Sequence, residues 1–214
     1  MAADRANGGM VNMSRRIRPK AKLVRTFGEN IYGAKKYDKI LARKPGHPGM
    51  HGKKMRRRLS AYGQQLKEKQ KLRAIYDVGE RQFRHYYAAA RKTQAATGEK
   101  LLQILESRLD NIVFRAGFST TRSMARQLVG HGHVLLDGKR NSIPSCLVRP
   151  GQVVSLSASA QKIPDVAKLL GNKELTVPVW LKRQAVAAKV ERLPKREEID
   201  VNIAEQLIVE FYSR

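Results

Sequence analysis

Basic side chains cluster on a short stretch of the chain in which a helix is followed by a hairpin. Arg122 and Arg126 are four residues apart, so they project from one side of a predicted helix. Two further basic residues follow Asp137-Gly138, a dipeptide typical of a tight type I′ turn. Guanidinium and ammonium groups bind phosphate oxygens, and such a cluster is typical of a nucleic-acid surface. The predicted phosphate contacts of this segment are Arg115, Arg122, Arg126, Lys139 and Arg140.

The charge of the whole chain supports the same interpretation. The sequence holds 43 Lys and Arg against 18 Asp and Glu, a formal net charge of +25. Such a chain repels itself in a compact state unless a polyanion neutralises it, and nucleic acid is the commonest polyanionic partner. A membrane-spanning segment would need roughly 18 consecutive apolar residues. The apolar runs of this sequence are only a few residues long, so a membrane protein is excluded.

Residues 1–58 are predicted to form a basic N-terminal arm. The first 60 residues hold 17 basic and 3 acidic side chains and are rich in glycine and proline. A segment with so little apolar periodicity cannot bury enough surface to fold alone. We expect one short helix near residues 35–43 and ordering chiefly by phosphates. The predicted RNA contacts here are Arg15, Arg16, Arg18, Lys20, Lys22, Lys53, Lys54, Arg56, Arg57 and Arg58.

Apolar residues at three- and four-residue spacing predict a helix over residues 62–91, which Gly79 weakens or interrupts, and a second over 98–113. The aromatic residues of the first helix share this spacing, which favours a core position over base stacking. Lys67 and Lys71 lie four residues apart as like charges. A phosphate partner would relieve their repulsion, so both are predicted RNA contacts.

The segment after Gly117 is predicted to form a small unit that contains both helix and strands. Ser119, Thr120 or Thr121 caps a helix of about ten residues, and Gly130 suits the left-handed position that ends it. Strands are predicted over 133–136, 140–143 and 153–156. The predicted fold class is therefore α+β, with an extended basic arm, a mainly helical domain and an inserted small module with an antiparallel sheet.

Cysteine usage argues against disulfides and metal. The one cysteine, Cys146, excludes a disulfide framework and a cysteine-based zinc cluster within this chain. His47 and His51 have the spacing at which two imidazoles converge on a helix. Pro48 and Gly49 lie between them and disfavour that helix. We expect no metal and no cofactor.

The stretch RLDNIVFRAGFSTTRSMARQLVGHGHVLLDGK (108–139) resembles the S-four RNA-binding module, whose pattern is RLD, a capped helix with arginines, and a glycine followed by a hairpin. Its flanks, LSAYGQQLKEKQKLRAIYDVGERQFRHYYAAA at 59–90 and VNIAEQLIVEFYSR at 201–214, are similar to the bacterial family of small-subunit ribosomal protein S-four. The likeness extends over nearly the whole chain from about Met13.

This resemblance implies a domain organisation, a partner and a location. Residues 59–107 and 173–214 would form the helical domain, and 108–172 the inserted module. Family members bind the 5′ domain of small-subunit rRNA early in assembly. They lie beside the mRNA entry path near small-subunit proteins three and five, and they contribute to translation accuracy. Many carry four zinc-binding cysteines in the arm, so this chain resembles the zinc-free form, in a cytoplasmic or organellar ribosome.

Two other functions are weighed against a ribosomal one. Pseudouridine synthases carry a catalytic aspartate in an RLD sequence, but here NIVFRAG follows Asp110 and only about 100 residues remain, so no enzyme is expected. A free RNA chaperone of the heat-shock type would explain the module but not its long flanks. The RLD residues Arg108 and Asp110 are instead predicted to form an ion pair or helix cap at the domain junction. Trp180 is predicted to pack between the two domains.

Overall fold

The computed structural model describes residues 19–50, 52, 59–93, 96–172 and 176–213. Two helices of the arm, α1 (Lys20–Phe27) and α2 (Lys35–Arg43), pack against each other. The second coincides with the predicted helix, whereas α1 was not predicted. It ends at Gly28, whose φ of 81° is the left-handed conformation that glycine adopts without strain. Val24 and Phe27 of α1 are buried, so one side of this helix packs against protein.

A helical domain follows the arm. Its helices are α3 (Ala61–Tyr76), α4 (Glu80–Arg91), α5 (Thr97–Glu106) and, from the end of the chain, α10 (Glu205–Ser213). The last helix packs on α3 and α5, and α4 packs on α5. The aromatic residues that were predicted to be core are all buried, which confirms that prediction: Tyr76, Phe83, Tyr86 and Tyr87. Among the described residues, no helix is long and apolar enough to cross a membrane.

Each of the two long helices predicted from the sequence, over 62–91 and 98–113, is divided into two helices in the structure. Asp77, at φ 52°, takes the left-handed conformation that ends α3, and Gly79 caps the start of α4. This confirms the interruption expected at Gly79. The second predicted helix divides into α5 and α6 (Leu109–Arg115), because Arg108 is extended. The break at Arg108 was not predicted, since apolar spacing continues across it.

The module contains α6, α7 (Arg122–Gly130) and a five-stranded antiparallel sheet. Its strands are β1 (Val134–Leu136), β2 (Lys139–Arg140), β3 (Val153–Leu156), β4 (Leu181–Gln184) and β5 (Ala187–Val190), in the spatial order β2-β1-β3-β5-β4. Asp137 and Gly138 have φ values of 50° and 77°, as a type I′ turn requires. The return strand is shorter than predicted, because the Ile143 amide bonds the Asn141 side chain and the backbone turns away.

The ends of α7 confirm one prediction and correct another. Thr121 is the cap, and its side-chain oxygen accepts from the Met124 amide at 3.2 Å. Gly130, however, is the last helical residue, and the left-handed position is Gly132, at φ 69°. The prediction for Gly130 was therefore wrong by two residues.

Two strands of the sheet lie in the stretch 173–214 that was assigned to the helical domain. Strand β5 pairs with β3, and β4 pairs with β5, so both strands are part of the same sheet as β1 and β2. Trp180 is 1 % exposed within the module's core beside Leu181, so its predicted place between the domains was wrong. Between β3 and β4 lie two short helices, α8 (Ala158–Gln161) and α9 (Pro164–Gly171).

Candidate nucleic-acid interface

A buried carboxylate joins the helical domain to the module. Glu106, the last residue of α5, is 0 % exposed. It accepts hydrogen bonds from the Tyr76 hydroxyl at 2.5 Å and from the Asn111 amide at 2.5 Å. Arg115 donates two more, from Nε at 3.0 Å and from Nη2 at 2.8 Å. One carboxylate thus holds a tyrosine of α3 and two residues of α6.

The electrostatics of Glu106 favour its charged form. Burial alone would raise the pKa of this carboxyl, but the charge and hydrogen bonds of Arg115, with Arg122 and Tyr76, outweigh burial and lower the pKa below its usual value. Burial and the neighbouring carboxylate raise the pKa of the Tyr76 hydroxyl, so it stays a donor. At neutral pH the junction therefore contains a buried anion surrounded by donors.

Arg122, the first residue of α7, is also held at this junction. Its Nε donates to the Asn111 side-chain oxygen at 2.8 Å, and its Nη2 lies 4.0 Å from Glu106. The guanidinium stands between the rings of Tyr76 and Phe114, at 4.8 and 4.6 Å from their centroids. Burial lowers the pKa of Arg122. Its side chain is 16 % exposed, so most of it faces protein.

Two more arginines bond across the same junction. Arg126 donates to the backbone oxygen of Asp77 at 3.1 Å, which ties α7 to the end of α3. Arg108 donates to the Tyr86 hydroxyl at 2.6 Å and to both carboxylate oxygens of Asp110, at 3.0 and 2.6 Å. Arg108 and Asp110 are 2 % and 7 % exposed. The predicted ion pair at the domain junction is confirmed.

The arm is tied to both domains. Helix α1 packs on α3, and Lys20 at its start donates to the Ser123 hydroxyl of α7 at 2.7 Å. Lys71 of α3 is buried and bonds Glu29 at 2.6 Å and the Asn202 backbone oxygen at 2.5 Å. A cavity of about 200 Å³ lies where the arm, α3 and the start of α7 meet.

The predicted RNA contacts divide into three groups by their surroundings. Exposed side chains are Lys22, Lys139 and Arg140, and Lys20, Lys67 and Arg126 are partly exposed. Lys71, Arg115 and Arg122 are held by internal partners, so their geometry gives them a structural role first. Their contact with RNA stays a prediction. The remaining predicted contacts lie outside the described residues: Arg15, Arg16, Arg18, Lys53, Lys54, Arg56, Arg57 and Arg58.

Sequence reasoning missed two features of this interface. The first is the exposed lysine face of α2, formed by Lys35, Lys36 and Lys39. The sequence KKYDKILAR carries that signal. The second is Glu106, an acid at the end of an apolar helix directly before the RLD sequence. Among the described residues, no group of three or more His, Cys, Asp or Glu side chains is placed to hold a metal ion.

The chain combines a basic arm, a helical domain and a small sheet module whose helices carry arginines, and these parts meet at one junction. This arrangement defines an RNA-binding protein of the S-four-module class. Comparison with known families agrees with this class. Residues 15–106 match the model of the ribosomal protein S4/S9 N-terminal domain, and residues 107–154 match the S4 domain. The border between the two matches falls at the junction beside Glu106.

Curated relatives extend the match to the length of the chain. Small ribosomal subunit protein uS4 of Porphyromonas gingivalis is 44% identical over 204 residues, that of Herpetosiphon aurantiacus 47% over 211, and that of Aquifex aeolicus 46% over 210. Each alignment covers 94% of this chain and 100% of the relative. The chain belongs to the uS4 family of small ribosomal subunit proteins. Its predicted membership is thereby confirmed, and its arm, without cysteine, is consistent with the zinc-free form.

Family membership gives the chain a structural, RNA-binding role in the small ribosomal subunit. That role accounts for the excess of basic side chains, because ribosomal RNA supplies the anionic partner that a charge of +25 requires.

Proposed function

We propose that the chain is a primary assembly protein that binds the 5′ domain of small-subunit rRNA. The observation that carries this proposal is the junction around Glu106. Its hydrogen bonds hold the helical domain and the module, the two proposed RNA-binding parts, in one relative orientation. Side chains cannot read the deep groove of an RNA helix, so a protein of this kind recognises backbone path and shape. Recognition by shape needs a rigid protein surface, and buried charged hydrogen bonds supply that rigidity.

The contacts themselves fall to the exposed cations. In the arm these are Lys22 and the α2 face of Lys35, Lys36 and Lys39; in the module they are Lys139, Arg140 and the partly exposed Arg126. Each phosphate that a cation neutralises releases counterions, which gives affinity without sequence information. The basic residues at 15–18 and 53–58 belong to the same proposed set on charge alone.

The surroundings of the bound protein follow from the resemblance to the family. We propose that it lies in the cytoplasmic small subunit beside proteins three and five, with the run Lys53, Lys54, Arg56, Arg57 and Arg58 close to incoming mRNA. Its contribution to translation accuracy would then come from this position.

Binding to two RNAs across a salt series tests the proposal. The purified chain is titrated with a transcript of the 5′ domain and with a control RNA of equal length. We expect the preference for the 5′ domain to persist as salt rises, because a fixed shape is recognised in addition to charge. Equal loss of binding on both RNAs, with a steep salt slope, would contradict the proposal and favour a nonspecific polycation.

A further inference from the structure

Two parallel histidine rings stand beside a cavity on the outer side of the module. His131 and His133 follow α7 in the sequence HGH, and their rings are inclined by 1° with centroids 6.2 Å apart. Gly132 between them has a φ of 69°, in the left-handed region that favours glycine, and both histidines line the same cavity. Neither residue belongs to the junction around Glu106.

The cavity is lined by both apolar and polar side chains. Its volume is about 260 Å³, and besides the two histidines it is lined by Met124, Gln127, Leu128, Ile163 and Asp165. Met124 and Leu128 come from α7, and Ile163 precedes α9. The exposed Gln127 amide and Asp165 carboxylate supply hydrogen-bonding groups. The size suits a single planar ring system and not a whole chain segment.

Arg140 adds a cation at the same place. Its Nη2 donates to the backbone oxygen of His131 at 3.0 Å. Its guanidinium lies directly over Gly132, where a Cβ atom would collide with it. Arg140 does not line the cavity, but it bonds the backbone of His131, which does. Its charge beside the cavity favours a ligand that is flat and carries a phosphate.

We propose that this cavity receives one unpaired base of the bound RNA. Single-stranded bases in RNA complexes stack on histidine rings and arginine planes and bond through their Watson–Crick edges. The Asp165 carboxylate only accepts hydrogen bonds, so it selects a base with two adjacent N–H donors, as guanine has. Arg140 then neutralises the adjoining phosphate. This inference rests on the proposed RNA-binding function and names a ligand for one part of it.

Nucleotide titration of the intact protein tests the cavity directly. The histidine ring resonances of isotopically labelled protein are followed while GMP, AMP, CMP or UMP is added. We expect GMP to shift His131 and His133 but not His85, an exposed histidine of α4. The change Asp165→Asn should weaken GMP binding by roughly tenfold, since it removes the negative charge and replaces one of the two acceptor oxygens by an NH2 donor. Equal small shifts with all four nucleotides, or shifts at His85 as well, would overturn the proposal.

Chemical probing of the 5′-domain transcript tests the same cavity in the complex. The double variant His131→Ala/His133→Ala is compared with the matched variant His85→Ala. We expect the double variant alone to lose protection at a small number of unpaired bases and to bind roughly tenfold more weakly, with an unchanged salt slope. Unchanged protection and affinity would overturn the base site while the assembly function stands. Loss of 5′-domain preference by the unmodified protein would instead overturn the assembly function.

Discussion

Replacing Glu106 by glutamine removes a buried negative charge of the domain junction and keeps the shape of the side chain. The Arg115 guanidinium, whose side chain is 15 % exposed, then loses its ion-pair partner inside the protein. The glutamine amide also turns an N–H group toward donors of Arg115 or Asn111. Breaking a buried ion pair from one side costs about 3–5 kcal/mol. For a chain of this size we expect the melting temperature to fall by roughly 10 °C.

The assay is urea unfolding of the intact chain followed by circular dichroism, with a thermal scan beside it. The matched control is Glu198→Gln, which breaks the more exposed pair with Arg192 and should cost much less. In the double variant Glu106→Gln/Arg115→Met the unpaired cation is gone, so stability should partly return. A loss for Glu106→Gln no greater than that of the Glu198→Gln control would refute the reasoning, because the junction carboxylate would then be screened by solvent.

Further predictions concern pH, salt and backbone. The pKa of Glu106 is lower in the folded chain than in the unfolded chain, where it is about 4.3. The Glu106 carboxylate therefore stabilises the fold above that pH, and this contribution is lost as the pH falls through the folded-state pKa. Below about pH 4, acid titration should destabilise the unmodified chain more than the Glu106→Gln variant. The double variant Lys139→Ala/Arg140→Ala should reduce the salt slope of RNA binding by about 2 and weaken specific and control RNA alike. Arg122→Gln should lower the urea midpoint, since Arg122 bonds protein groups at the junction. Gly132→Ala should destabilise the fold by about 1–2 kcal/mol in urea, because of its positive φ and the guanidinium of Arg140 above it.

Features set by neighbouring residues were predictable from the sequence. The lysine-rich α2, the Thr121 cap and the Asp137-Gly138 turn depend on short-range hydrogen bonds and backbone preferences. The buried aromatic face of α4 follows from helical spacing. The strands β4 and β5 do not have such a signal, because LKRQ and AAKV are short and gain their place only by pairing with β3. For that reason the pairing of these two strands and the position of Trp180 could not be predicted from the sequence.

The basic side chains were predicted as RNA contacts from their charge and spacing, which do not show the internal partners that some of them have. Arg115 and Arg122 have the residue type and spacing of phosphate contacts, and spacing alone cannot show that a carboxylate faces them. Glu106 meets them only because the chain turns at Arg108 and lays α6 and α7 against the end of α5. Long-range geometry of this kind decides whether an arginine binds a partner or binds its own protein.

The two outer strands of the sheet carry charge where an unpaired strand edge is a hazard. Strand β2 has only two residues, Lys139 and Arg140, and both are exposed; strand β4 at the opposite edge exposes Lys182. Charged side chains and short length at a sheet edge prevent strands of other molecules from adding to it. The cations of β2 would therefore protect newly made protein from aggregation until RNA covers them, so one pair of residues would serve the chain both before and after assembly.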